Sequence, residues 1–272
     1  MSVAQLALRG ILRSSPEGLA GRAALKASIA TRAWILRRRD PLVRHRVGEI
    51  ELLLPLSHEL PFYLEDHPAY GRAVGRIARE LGGPVVDVGA NVGDTAALIR
   101  LETEVPILCV EGDERFFALL ERNAVRLAPV ELERAFVEGP PFGRVERAAG
   151  TARILRGDEP LPSSSLEAIL DRHPRFREPA LVKIDTDGMD VPIILASLAF
   201  LERTRPVLFL EYDPHLGADP SVFERLREIG YRLMDVYENT GEHARTLELP
   251  GEIHDEYAGH GGARYADVCV RP

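Results

Sequence analysis

Residues 84–94, "PVVDVGANVGD", decide the fold of this chain. An apolar run interrupted only by Asp87, entered from a proline and stopped by Gly89, reads as a short buried strand, and Asp94 opens a helix predicted to reach Arg100. The same unit recurs. "ILCVE" (107–111) is a second strand, followed by a helix from Asp113 to about Leu127, and "VELERAFV" (130–137) is a third. "ALVKID" (180–185) and "PVLFLEYD" (206–213) are two more strands that end in acids, with helices at about 189–203 and 219–229 after them. Alternating units of this kind predict an α/β protein, a mostly parallel sheet with helices on both faces. The last two strands, "YRLMDVY" and "ADVCVRP", are separated by a polar stretch (238–262) read as loop. With no helix between them, the final strand is expected to run antiparallel.

Outward from this core, "FGRVERAAGTARIL" (142–155) reads as a hairpin pinched at Gly150, and "SSSLEAILDRH" as a Ser-capped helix. Residues 47–83 form a lead-in: a strand, a proline-marked loop and a helix from about Ala69 to Leu81, closed by Gly82-Gly83-Pro84. Residues 1–46 form a basic arm, with ten Lys/Arg against two Asp/Glu; the whole chain is −8, so the remainder carries −16. In the arm, Leu25, Ile29, Ala33 and Leu36 recur at helical spacing beside Arg22, Lys26, Arg32 and Arg37, and Trp34 reads as a packing anchor. That helix packs on the domain or on another subunit, or makes weak contact with a membrane surface through residues 1–40. Nucleic acid is not expected as a partner, because the acidic remainder would repel phosphate.

Other bulk features narrow the class. Apolar residues are 45% and charged residues 28% of the 272, enough to bury a full core. Cys109 and Cys269 lie within apolar runs and read as reduced core thiols. No stretch approaches a membrane span, and Arg9 and Arg13 break the N-terminal apolar run, so a cytoplasmic protein is the simplest expectation.

In an open parallel sheet a ligand binds beyond the carboxyl ends of the strands. Gly89 and Gly93 allow a tight turn there, but their G-x-x-x-G spacing is not that of a dinucleotide site, and Asp87 and Asp94 put negative charge where a pyrophosphate would lie. Glu111 ends the second strand 24 residues after Asp87, where an acid can accept both hydroxyls of a ribose. A nucleoside with a cationic centre and no phosphate, S-adenosylmethionine, suits this turn. An NAD-dependent Rossmann oxidoreductase and a non-catalytic cofactor-binding module are the competing readings.

"VVDVGANVGDTAALIR", "CVEGDERFFALLERN", "SLEAILD", "LVKIDTDGMDVPIILAS", "PVLFLEYDP" and "VYENTGE" resemble, in order, segments of FkbM-type S-adenosylmethionine-dependent methyltransferases. The resemblance implies a class I methyltransferase (Rossmann-like) sheet of seven strands, order 3-2-1-4-5-7-6 with an antiparallel last strand, in a domain covering residues 84–272. It implies methylation of a hydroxyl on a small polar acceptor such as a sugar or glycan precursor. By position, Asp87, Gly89, Ala90, Asn91 and Gly93 would form the cofactor turn, Glu111 and Gly112 the ribose end, and Glu138 would lie near the adenine. Glu167 stands where the family more often has Asp.

An alcohol is a poor nucleophile at neutral pH, so methylating one calls for a base or a metal. "KIDTDGMD" supplies Lys183, Asp185, Asp187 and Asp190, and "EYDPH" supplies Glu211, Asp213 and His215, at neighbouring strand ends. Asp185 or His215 could serve as general base with Lys183 beside it. Alternatively Asp185, Asp187, Asp213 and Glu211 could hold a divalent cation, Mg in preference to Zn for an all-carboxylate set, or act only as helix caps. His243, His254 and His260 are loop histidines, solvated or in contact with the acceptor. A homo-oligomer is left open.

Overall fold

The computed structural model describes residues 1–13, 18–148, 150–259 and 265–272. His260 lies outside the described residues. In chain order, helices α1 (Val3–Arg13) and α2 (Gly18–Leu36) precede a hairpin of β1 (Leu42–Val47) and β2 (Ile50–Pro55), then α3 (Leu60–Asp66) and α4 (Arg72–Leu81). The core begins with β3 (Val85–Val88), α5 (Asp94–Arg100), β4 (Ile107–Val110), α6 (Glu114–Leu127) and β5 (Val130–Glu133). Next come β6 (Phe136–Val137), the hairpin β7 (Phe142–Ala148) and β8 (Thr151–Pro160), β9 (Ser163–Ser164) and α7 (Leu166–Arg172). The chain closes with β10 (Leu181–Ile184), α8 (Asp190–Ala196), α9 (Leu198–Thr204), β11 (Val207–Tyr212), α10 (Ser221–Glu228), β12 (Leu233–Glu238), β13 (His243–Glu248), α11 (His254–Ala258) and β14 (Ala266–Arg271).

The central sheet has the order β13-β12-β14-β11-β10-β3-β4-β5. Without β13 this is 3-2-1-4-5-7-6. Strands β3, β4, β5, β10 and β11 are mutually parallel, and β14 runs antiparallel between β11 and β12. That is the class I methyltransferase arrangement. Every residue of β3, β4 and β10 is buried, which is why these strands are apolar except for the paired Asp87 and Lys183. Successive residues feed two cores: Val85, Ile107 and Leu181 pack with α4, α5 and α6, while Val86, Leu108 and Val182 pack with α7, α8 and α10. Cys109 and Cys269 are free and buried.

Several elements differ from the sequence expectation. The stretch 238–262 holds β13 and α11, so the sheet has eight strands rather than seven. "HARTLE" escaped notice because an edge strand needs little apolar surface. The third strand is split into β5 and β6, and the helix expected over 189–203 breaks at Ser197 into α8 and α9. The arm has two helices, α1 and α2, packed on each other. On α2 the buried residue is Ile35, whereas Ile29 is 50% exposed. Arg32, not an apolar residue, turns inward, because its guanidinium finds acceptors at Leu56 O, Ser57 O and Glu59 Oε1. Trp34 is 51% exposed and stacks under Arg38, so it anchors nothing in the core. No helix among the described residues is long and apolar enough to cross a membrane.

Two polar side chains stitch the N-terminal elements to the core. Gln5 of α1 exchanges two hydrogen bonds with the backbone of Arg44, each 2.8 Å, and so satisfies one edge of β1. Asn123 of α6 is fully buried; its Oδ1 accepts from Leu53 N, and its Nδ2 donates to Leu53 O and Val92 O. It joins β2, α6 and the turn after β3. Asn123→Ala would leave three buried backbone groups without partners, so we expect a loss of about 3 kcal/mol of unfolding free energy in denaturant titration. A loss below about 1 kcal/mol would mean that water replaces the amide.

Candidate active site

The turn after β3 is held from below. Gly89 N and Ala90 N both donate to Val110 O, at 3.0 Å. Gly89 has φ +78°, and a Cβ there would lie 1.9 Å from Asp185 O, so this position requires glycine. Gly93, at φ +90°, precedes α5 and packs against Leu120 and Leu127 away from any cavity. Asp87 and Lys183 are register partners on β3 and β10. Lys183 Nζ lies 3.2 Å from Asp87 Oδ1 and 3.3 Å from Asp185 Oδ2, and donates to Gly89 O at 3.3 Å. Burial alone would lower the Lys183 pKa, but Asp185 and Asp87 outweigh it and hold the ammonium well above its usual range. Lys183 is therefore a fixed cation that organises the turn.

Glu111 sits at the end of β4 with its carboxylate shared between two backbone amides: Oε2 accepts from Asn91 N at 2.8 Å and Oε1 from Asp113 N at 2.7 Å. It thereby couples the two loops that border a cavity of about 380 Å³, within the roughly 300–1,000 Å³ usual for small-ligand sites. Gly89, Asn91, Glu111 and Gly112 line its polar side; Val110, Phe116, Ala135, Phe136 and Val137 form an apolar slot beyond them. The slot suits a flat base and Glu111 a ribose, so the residues present fit a nucleoside cofactor. The β7–β8 hairpin closes this cavity with Ala152, Arg153, Ile154 and Leu155. Its tip is tied down where Asn91 Nδ2 donates to Gly150 O at 2.8 Å, and its stem where Arg147 pairs with buried Asp113 at 2.5 Å.

A second cavity, of about 400 Å³, lies on the α3–α4 side of the sheet and meets the first along Gly89, Asn91, Arg153, Asp185, Asp187 and Leu216. Asp185 lines both and stands at their junction. Glu211 and Asp213 line the second cavity; His215 is exposed and lines the first. Asp190 is withdrawn, its Oδ2 accepting from Thr186 N, Thr186 Oγ1 and Gly188 N to brace the loop.

Some predicted residues fall elsewhere. Glu138 lines neither cavity; its Oε1 accepts from Leu166 N at the start of α7. Among the described residues no group of three or more His, Cys, Asp or Glu side chains is placed to hold a metal, so Asp185, Asp187, Asp213 and Glu211 do not form a ligand set. His243 and His254 line neither cavity; they contact Asp235 and Tyr212 respectively. Glu167 pairs with Arg203 on the surface. Sequence reading missed Arg153, His58, Tyr63, Tyr70, Tyr265 and Asp267, all of which line the second cavity.

Three buried carboxyls here are shifted upward. Burial raises Glu111 to about 7 and Asp190 to about 7, and burial with Asp185 nearby raises Asp267 to about 8. The folded chain thus holds protons that the unfolded chain has already released above pH ~5, and stability falls as pH rises through the folded values. His45 and His58 are shifted down by burial and act in the opposite sense, but only below their ordinary 6.5. Between about pH 6.5 and 8.5 the acids alone act. The ligand-free protein is expected to lose on the order of 5 °C in Tm across that window. Calorimetry showing a rising Tm would contradict this.

No family model matches the chain, and no curated protein matches it. Solved structures do match. A precorrin-6y C5,15-methyltransferase from Geobacter metallireducens shares 15% identity at TM-score 0.41, covering 74% of this chain and 87% of that one. A Pyrococcus abyssi tRNA (uracil-54, C5)-methyltransferase in complex with S-adenosyl-L-homocysteine gives 14% and 0.44, over 85% of this chain and 44% of that one. Methyltransferase FkbM from Methylobacillus flagellatus gives 12% and 0.38, over 69% and 43%. At these values the likeness concerns the fold, and the function has to be argued from the site.

Proposed function

We propose that the protein is an S-adenosylmethionine-dependent methyltransferase that methylates a hydroxyl of a small polar acceptor, such as a sugar or glycan precursor. The observation that carries this reading is the junction of two cavities at Asp185, one shaped for a nucleoside and the other polar. When bound, the cofactor would supply an electrophilic methyl group on a sulfonium. Glu111 would accept from the ribose, the Phe116–Phe136 slot would take the base, and Asn91 with the Gly89 turn would flank the amino-acid portion. Asp185 would take the acceptor hydroxyl's proton as that oxygen gains the methyl group, which the cofactor would give up to become a neutral thioether. Lys183 fixes the Asp185 carboxylate through Oδ2. Proximity of the two ligands does the rest, since holding the oxygen in line with the methyl removes much of the entropic barrier.

A pyrophosphate cofactor suits this site less, because the turn is acidic and, among the described residues, Arg153 is the one arginine along either cavity. Calorimetric titration with S-adenosylhomocysteine, with and without magnesium, tests the reading. Micromolar binding supports it, and binding of NAD instead would replace it. Binding followed by no methyl transfer to any hydroxylated acceptor would favour a binding module.

A further inference from the structure

The second cavity is far more acidic than a hydroxyl acceptor needs. Asp94, Asp185, Asp187, Glu211, Asp213 and Asp267 line it, against Lys183 and Arg153. Lys183 is already spent on Asp87 and Asp185. Two of the acids are opposed in an unusual way: Glu211 on β11 and Asp267 on β14 are direct register partners in an antiparallel pair. Like charges at such a cross-strand position repel and destabilise a sheet. Neither carboxyl makes a hydrogen bond or ion pair with any described residue, and in the ligand-free protein retained protons ease the repulsion: burial first, then neighbouring acids, raise Glu211 well above its usual range and Asp267 to about 8.

The rest of the wall points to what would relieve it. Tyr63, Tyr70, Phe209 and Tyr265 line the same cavity, with the Tyr63 and Tyr70 rings 5.0 Å apart. Aromatic faces beside carboxylates form a recognition surface for a compact organic cation. His58, 6% exposed, also lines this cavity, and its Nδ1 accepts from Leu60 N at 3.2 Å. Its Nε2 therefore carries the hydrogen, which faces the Asn91 side chain without a well-formed hydrogen bond to any described residue. It offers a hydrogen bond to a ligand oxygen. The cavity thus combines a cation site near Glu211 and Asp267 with a donor for oxygen.

We propose that the acceptor is an amino alcohol or amino sugar, held by its protonated amine between Glu211 and Asp267, with a hydroxyl turned to Asp185. This rests on the methyltransferase reading of the two cavities. The ammonium, having no free electron pair, is bound and not methylated, which directs transfer to oxygen. Phosphorylated and carboxylated acceptors are excluded by the same charge.

The test is calorimetry on the full chain saturated with S-adenosylhomocysteine, near neutral pH, with glucosamine against glucose and ethanolamine against ethylene glycol. We expect at least one amine to bind about tenfold or more tightly than its neutral analogue. In the Glu211→Gln/Asp267→Asn double variant that preference should fall to within about twofold, with S-adenosylhomocysteine affinity unchanged. Above about pH 8, where Asp267 has lost its proton, the ligand-free double variant should also melt higher than wild type, because the repulsion is gone, whereas a purely structural role would make it melt lower. Preference for the amine in neither pair, or a preference that survives in the variant, overturns the proposal. So does stabilisation by magnesium alone that the variant abolishes, which would make this a metal site. Absence of S-adenosylhomocysteine binding in the wild type would instead remove the two-cavity reading, and this proposal with it.

Discussion

Glu111→Ala is expected to abolish measurable binding of S-adenosylhomocysteine, raising Kd by about 100-fold or more while the protein still folds. The argument rests on what the carboxylate holds. Its two oxygens each accept one backbone N–H, from Asn91 and from Asp113, and so fix the turn after β3 against the turn after β4. Hydrogen bonds to a charged group contribute roughly 1.5–3 kcal/mol each, and truncation removes both together with the proposed ribose contact. Asn91 sits at φ +48°, in the left-handed region that asparagine tolerates better than most non-glycine residues. Freed of Glu111, Asn91 can relax and take the hairpin tie to Gly150 with it. Glu111→Gln should be intermediate: one amide is still satisfied, and the new NH₂ faces the N–H of the other. Calorimetry on the three proteins decides it, and equal affinities would place the cofactor elsewhere.

Much of this site was legible because Glu111 and Asp185 each follow a short, mainly apolar strand. "VVDV", "ILCV" and "LVKI" could only be buried strands, and the chain after them, carrying Glu111 and Asp185, could only lie at one edge of the sheet. What sequence could not convey was which of those acids turns toward a cavity. Glu138 and Asp190 look as eligible as Asp185, yet they bond Leu166 N and the Thr186 loop instead. The far wall was hidden for a different reason. His58, Tyr63 and Tyr70 come from the lead-in, and Tyr265 and Asp267 from the last strand, segments brought together only by the packing of α3 and α4 over the sheet. Asp267 in particular reads as an ordinary polar residue in "ADVCV", because nothing local reveals that its register partner is Glu211. The helix stripe on α2 misled for the opposite reason: its apolar spacing was regular, but Arg32 had better partners inside than any leucine.

Asp185→Asn should reduce kcat by about 10²- to 10⁴-fold, the usual contribution of a general base, with S-adenosylhomocysteine affinity within about threefold of wild type. The separation follows from position. Asp185 lines both cavities but its side chain makes no contact that closes the turn after β3; it is 44% exposed, and among the described residues its one ion pair is with Lys183. Asparagine is nearly isosteric and keeps an oxygen for Lys183, so the loop that begins at Thr186 should stand as it does now, braced by Asp190. Only the capacity to take a proton is lost. A structural role would instead appear as weakened cofactor binding or a lowered Tm, and the two can be read on the same protein. Near-unchanged turnover with the cofactor bound would remove Asp185 from the chemistry. The proton would then have to leave through Asp187, which also lines both cavities and whose carboxyl is raised to about 6, by burial first and by Asp185 second. In that event the pH profile of kcat would shift with Asp187→Asn and not with Asp185→Asn, because the group whose protonation limits the reaction is the one whose removal moves the profile.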